Sequence, residues 1–195
     1  MIHERNISSV LIVSSSQKVN DFLKGLLPPD RFSPLLVAPT VGEARRLLVD
    51  RDIDIVIINT PLPDDFGVEF AVEASDAQNC GVLILVKSEL LDAVSERAED
   101  FGILTLAKPV SRQMVFQSVN LLVAARHKIR ALEAKTSSLQ SKMEEIRLIN
   151  RAKLLLIEHL KMSEAEAHRY IEKTAMDACV KRRKIAEDII RTYEN

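Results

Sequence analysis

What the sequence lacks narrows its function. No apolar run approaches the ~20 residues that a membrane-spanning helix needs, and no membrane partner is expected. The first residues do not follow a basic, then apolar, then small-residue signal pattern, and Val10 to Val13 is only a run of strand length. Together these point to a cytoplasmic chain. Cysteine is scarce. Cys80 and Cys179 lie far apart without metal-like neighbours, so two ordinary thiols in a reducing compartment are expected, with no metal site. No G-x-G-x-x-G, P-loop or G-x-S-x-G motif is present, and Ser14, Ser15 and Ser16 have no evident base beside them, so neither an enzyme nor a cofactor is expected. A charge excess is missing too: the net charge is −1, a poor start for a chain that binds nucleic acid.

The charge distribution says more than the total. Residues 1–118 hold 11 Lys+Arg against 17 Asp+Glu, residues 119–150 hold 6 against 3, and residues 151–195 hold 10 against 8. An acidic first part is thus followed by a mildly basic second part. At 195 residues, 47% apolar and 28% charged, the chain has room for one globular domain and a smaller piece.

Residues 1–118 alternate strand-like and helix-like runs. Ser9 to Val13, Leu35 to Val37, Ile53 to Ile58, Val82 to Val86 and Ile103 to Ala107 are short apolar runs, the third almost wholly apolar, as in a strand covered on both faces. Between them, Ser16 is placed to cap a helix carrying Val19, Phe22, Leu23 and Leu26, which Pro28-Pro29 stops. Thr40 and Glu43 read as a capping box for a helix with Ala44, Leu47 and Leu48. Further helices are expected at about Val68–Ala77 and Leu90–Asp100. Five strands alternating with helices predict a parallel sheet with helices on both faces.

That spacing, with Pro63 and Gly67 after the third strand and Lys108-Pro109 after the fifth, resembles the receiver domain of response regulators over roughly residues 8–118. The resemblance implies an acidic pair that holds Mg²⁺, a phosphoryl-accepting Asp at the end of strand three, and a hydroxyl after strand four. Here Ser14 and Ser15 replace the acidic pair, Asn59 replaces the acceptor, and Val86 stands at the hydroxyl position; of the usual set only Lys108 remains. Mg²⁺ prefers carboxylate oxygens, and an amide cannot form an acyl phosphate. Asp64 and Asp65 are nearby but out of register. The expectation is a pseudo-receiver, not phosphorylated at this site, whose Lys108 bonds a carbonyl or Asn59.

A long helix is expected from Ser111 onward, since 117–151 contains neither Gly nor Pro. Leu122, Ala125, Ile129, Leu132, Thr136, Leu139, Met143, Ile146 and Asn150 follow unbroken 3-4 spacing. This is the pattern of a two-helix seam, and a homodimer is favoured over one helix folded back on the receiver. The dimer seam is assigned to Leu122, Ile129, Leu132, Leu139, Met143 and Ile146. Basic residues flank it (Arg126, Lys128, Arg130, Lys135, Lys142 and Arg147), which a solvated helix face explains equally well.

The last 45 residues also lack Gly and Pro. Leu155, Leu156, His159 and Leu160 mark one helix. Ser163 and Glu166 form a capping box that opens a second, with Ala167, Tyr170, Ile171, Ala175 and Met176 as its apolar face, and Ile185, Ala186, Ile189, Ile190 and Tyr193 mark a third. Ala152-Lys153, Ser163-Glu164-x-Glu166-Ala167, Ala175-Met176 and Ile185-Ala186, at these spacings, resemble the ANTAR domain of the AmiR and NasR transcription antitermination regulators. Two positions depart from that family: Leu154 stands where Gly is usual, and Arg182 where an apolar residue is common. The resemblance implies a module that grips paired RNA hairpin loops and blocks a terminator.

The architecture expected is therefore α/β plus all-α: a flavodoxin-like (βα)5 pseudo-receiver over 1–118, a coiled-coil linker over 119–150 and a three-helix ANTAR bundle over 151–195. The candidate RNA contacts are Arg151, Lys153, Lys161, Arg169, Lys173, Lys181, Arg182, Arg183 and Lys184, with Tyr170, His168 and Tyr193 as stacking groups; Tyr170 is read as core rather than platform. The partners expected are leader hairpin RNA, a second copy of the chain, and a regulatory protein or ligand acting on the pseudo-receiver. Two other functions stay open at this point: a protein-interaction scaffold built on a degenerate receiver and coiled coil, and a DNA-binding response regulator.

Overall fold

The computed structural model describes residues 7–76 and 79–194. Five parallel strands, β1 (Ser8–Val13), β2 (Phe32–Ala38), β3 (Ile55–Asn59), β4 (Gly81–Lys87) and β5 (Leu104–Lys108), form one sheet in the order β2-β1-β3-β4-β5. This is the flavodoxin-like order, with its reversal between β1 and β3. Four helices alternate with the strands: α1 (Gln17–Lys24), α2 (Val41–Asp50), α3 (Val68–Asp76) and α4 (Leu91–Ala98). The expected end of α3 at Ala77 lies outside the described residues.

Strand residues alternate between two apolar layers. Leu11, Val13, Val56, Ile58, Val82, Ile84 and Val86 pack with Ala44, Leu48, Phe70, Ala74, Val94 and Ala98. Val10, Ile12, Ile55, Ile57, Leu83 and Leu85 pack with Leu23, Leu27, Val115, Val119 and Leu122. Both faces of the central strands are thereby covered, which is why those strands read as continuous apolar runs. Strand β2 begins at Phe32, three residues before the apolar run that announced it, and contains Pro34. It is an edge strand, the place in a sheet where a missing N–H is tolerated.

One helix, α5, runs from Arg112 to Leu160. Its first turns lie on the sheet. Gly81 permits this approach, since a Cβ there would stand 3.1 Å from Leu122 Cβ and 2.9 Å from Ile55 Cδ1. Leu122 is only 6% exposed. Its assignment to a dimer seam is therefore corrected: the sheet already covers it. Arg126 is likewise not on a solvated face. It is 8% exposed, and its Nε and Nη1 have no hydrogen-bond partner among the described residues. One turn on, Arg130 pairs with Asp52 at 3.0 Å and Asp54 at 2.5 Å. The Asp54 carboxylate also accepts from Ser9 N at 2.8 Å and Ser9 Oγ at 3.0 Å.

The chain divides into two compact units, residues 1–130 and 131–195. In the second unit, the end of α5 packs with α6 (Glu164–Asp177) and α7 (Arg182–Tyr193) around Ala152, Leu155, Leu156, Ala167, Ile171, Ala175, Ile185, Ala186 and Ile189. The first helix of this bundle is thus the end of α5 rather than a separate short helix. Ser163 caps α6 with a full capping box: Ser163 Oγ accepts from Glu166 N at 3.3 Å, and Ser163 N donates to Glu166 Oε2 at 2.8 Å. At the other end, Val180 N bonds Ala175 O and Cys179 N bonds Met176 O, with Cys179 at φ +54°. This is a Schellman ending that carries a cysteine where glycine is usual.

Replacing Cys179 by Gly removes the side chain's clash with its left-handed backbone. Cys179→Gly is expected to stabilise the chain by about 1 kcal/mol, seen as a higher thermal midpoint of the C-terminal unit in calorimetry.

Candidate functional site

At the C-terminal ends of β1, β3 and β5 stand Ser14, Asn59 and Lys108. Ser14 follows β1 and is fully buried, and Asn59 ends β3 and is buried. Asn59 Nδ2 donates to Ser14 Oγ at 3.1 Å, and Ser16 N donates to the same oxygen at 3.2 Å. Ser15 points to solvent. Val86 is fully buried in the layer that faces α4. The Ser88 hydroxyl, two residues on, donates to the Lys108 carbonyl at 2.7 Å. Lys108 Nζ donates to the Thr60 carbonyl, one of the partners its position suggested. Burial and the neighbouring Lys87 both hold its pKa below the usual lysine value.

The two acids of the adjoining loop have structural work. Asp64 accepts from Val41 N and Gly42 N, both at 3.0 Å, at the start of α2. Asp65 Oδ1 accepts from Gly67 N at 2.6 Å, and Gly67 has φ +97°. Among the described residues, no group of three or more His, Cys, Asp or Glu is placed to hold a metal.

In the second unit, five of the nine candidate cations are ion-paired. Arg151 meets Glu194 at 2.5 Å, Lys153 meets Glu164 at 2.8 Å, and Arg183 meets Glu187 at 2.8 Å. Lys184 meets Asp188 at 3.0 Å, and Arg182 lies between Glu172 at 3.3 Å and Glu145 at 4.0 Å. Arg182, Arg183 and Lys184 open α7 at its positive end, where cations are disfavoured unless carboxylates offset them. Lys161, Arg169, Lys173 and Lys181 have no carboxylate within 4.0 Å among the described residues, although the Arg169 charge adds to the Ser163 hydrogen bonds that hold the Glu166 carboxyl below its usual value.

The apolar face of α6 is narrower than its sequence suggests. Ala167, Ile171 and Ala175 are buried, whereas Tyr170 is 43% exposed and Met176 is exposed. The reading of Tyr170 as core is corrected. Residues at 167, 171 and 175 form a stripe of one residue per turn, and position 170 lies about 100° round the helix from 171. Tyr193 stacks on His159 at 4.8 Å between ring centroids, and His168 Nε2 lies 3.4 Å from Glu172. Sequence reasoning missed the carboxylates. The i,i+4 spacings of Arg183–Glu187 and Lys184–Asp188 were a usable signal; nothing local announced Glu145 or Glu172. Leu154, the leucine in place of glycine, is 62% exposed.

Along α5, residues 131–144 are exposed on every side. Ile129, Leu132, Leu139, Met143 and Ile146 are 46–57% exposed.

A parallel five-stranded receiver fold followed by a long helix and an ANTAR bundle defines a class of regulator. Residues 137–190 match the ANTAR domain family. The chain is 31% identical over 184 residues to the transcriptional regulatory protein PdtaR of Mycobacterium tuberculosis, covering 94% of this chain and 89% of that protein. It belongs to the family of transcriptional regulators that join a receiver-like domain to an ANTAR domain. The receiver fold is similar to the signal receiver domain of an HD domain-containing protein from Pseudomonas fluorescens, with TM-score 0.58, 23% identity, and 64% of this chain and 93% of that one covered. It is also similar to a CheY-like receiver domain protein from Methanospirillum hungatei, with TM-score 0.57, 18% identity, and 63% and 98% covered.

The two backbone N–H groups that bond Asp64 hold its carboxyl below the usual value of 3.8. A carboxyl whose pKa is lowered by folding adds stability that is fully present above the unfolded value and is lost as pH falls through the folded one. Asp64→Ala is therefore expected to lower the thermal midpoint of the receiver domain at pH 7, and the gap between variant and parent is expected to shrink below about pH 4.

Proposed function

We propose that this chain is an RNA-binding transcription antiterminator that acts as a homodimer on hairpin loops of leader transcripts. The observation that carries the reading is the ANTAR match over residues 137–190, which includes cations with no carboxylate within 4.0 Å among the described residues. Division of labour follows the chain: residues 1–118 tune, residues 119–150 pair two copies, and residues 151–195 hold RNA.

The exposed stripe on α5 supports pairing. A helix in water rarely presents apolar residues at sustained 3-4 spacing unless they meet a partner, and a second copy offers the same stripe. The seam in this reading comprises Ile129, Leu132, Leu139, Met143 and Ile146. Two linked bundles gain avidity on an RNA with two adjacent loops. Binding would stabilise an RNA fold that excludes the terminator. Asn59 offers no carboxylate and the Ser14 hydroxyl is engaged with it, so control comes from a protein or ligand acting on the receiver-like domain, or from dimerisation set by concentration.

The full chain is expected to sediment at about twice its 21.9 kDa mass, and the double variant L139E/M143E as a monomer. Filter binding is expected to retain two-loop hairpin RNA with salt-sensitive affinity and to pass duplex DNA. Acetyl phosphate with Mg²⁺ is expected to leave the intact mass unchanged. A monomeric parent chain that ignores looped RNA at low ionic strength would refute the reading.

A further inference from the structure

We infer that the RNA-reading surface is the groove between the end of α5 and α6, with an unpaired loop base stacked on Tyr170 and flanking phosphates held by Lys161, Arg169 and Lys173. The basic cluster Lys181–Lys184 is then mainly structural. This inference rests on the RNA-binding reading above and says where on the bundle that binding takes place.

Three observations converge. The first is counter-charge. A phosphate is attracted to a cation that is not already neutralised, and most of the cations at the start of α7 are neutralised. Arg182, Arg183 and Lys184 each lie within 4.0 Å of a carboxylate of their own bundle. Lys161, Arg169 and Lys173 have no such partner among the described residues.

The second is shape. Those three cations line one groove of about 450 Å³ together with Leu160, Met162, Glu166 and Tyr170. Glu166 is the one carboxylate among these lining residues; the capping box engages it most strongly, through Ser163 N at 2.8 Å and Ser163 Oγ at 2.7 Å, and Arg169 attracts it more weakly from beyond 4.0 Å. The groove therefore presents cations around a partly apolar floor, which suits a base flanked by phosphates.

The third is the ring itself. Of the aromatic and imidazole groups on the bundle, Tyr193 is stacked on His159 and His168 faces Glu172. Tyr170 is 43% exposed, on the face of α6 that Arg169 and Lys173 share. A stacking platform needs an open face beside phosphate-binding cations, and Tyr170 has both.

The test is fluorescence anisotropy of the full chain on a labelled two-hairpin RNA, selected by the parent chain from a pool with randomised loops. Tyr170→Leu is expected to weaken binding at least about fivefold, the lower end for a lost base–aromatic stack, while Tyr170→Phe keeps parental affinity. The triple variant K161Q/R169Q/K173Q is expected to flatten the slope of log K against log salt by about 2, at ~0.7 per phosphate contact with a single strand. The quadruple variant K181Q/R182Q/R183Q/K184Q is expected to stay within about threefold of the parent, because most of the charge it removes is already balanced within the bundle. With 4-thiouridine in the loop, crosslinks are expected on the α6 peptide that holds Tyr170; this measurement on the parent chain does not depend on how any variant folds. Parental binding by the groove variants, or loop crosslinks confined to 181–184, overturns the placement and leaves the RNA-binding reading standing. A parent chain that selects no RNA from the pool overturns both.

Discussion

A helix of 49 residues needs cover for its apolar side chains, because backbone hydrogen bonds contribute little net stability in water. α5 meets that need differently along its length. Val115, Val119 and Leu122 are covered by the sheet, and Ala152, Leu155 and Leu156 by α6 and α7. Between these anchored ends, residues 131–144 are exposed on every side. The other features of the chain are arranged around these three conditions. The receiver-like domain clamps one stretch through Arg130 and Asp54, the bundle uses another as its first helix, and the middle presents the stripe for which we propose a second copy as partner.

How much of this was legible in the sequence depends on how far each determinant reaches. The β3 strand showed itself because a strand covered on both faces is apolar at nearly every position. The Ser163–Glu166 box was readable because both of its bonds lie within four residues. The start of β2 was not, since Pro34 speaks against a strand until its edge position is known. Periodicity names a face of a helix without saying what covers it, and that is how Leu122 was assigned to a seam and Tyr170 to a core. Ser14 and Asn59 could be placed as substitutions by position alone, but their bond joins residues 45 apart and needed the fold.

Charge shows the same limit in another form. Lys181 to Lys184 is the densest basic run in the second half of the chain, and on composition alone it is the natural nucleic-acid contact. In the folded bundle, three of its four members sit at the positive end of α7 and are balanced by Glu145, Glu172, Glu187 and Asp188. Lys161, Arg169 and Lys173 are scattered in sequence yet line one groove. Electrostatic availability therefore depends on where the carboxylates fall, which a count of basic residues does not record.

The neutral contact between Ser14 and Asn59 also changes what the N-terminal domain responds to. A pocket crowded with carboxylates carries mutual repulsion that a divalent ion relieves, so its folding equilibrium follows the free concentration of that ion. Here a hydroxyl and an amide satisfy one another, with no repulsion to relieve. On the reading we propose, the stability of this domain does not follow the surrounding magnesium pool.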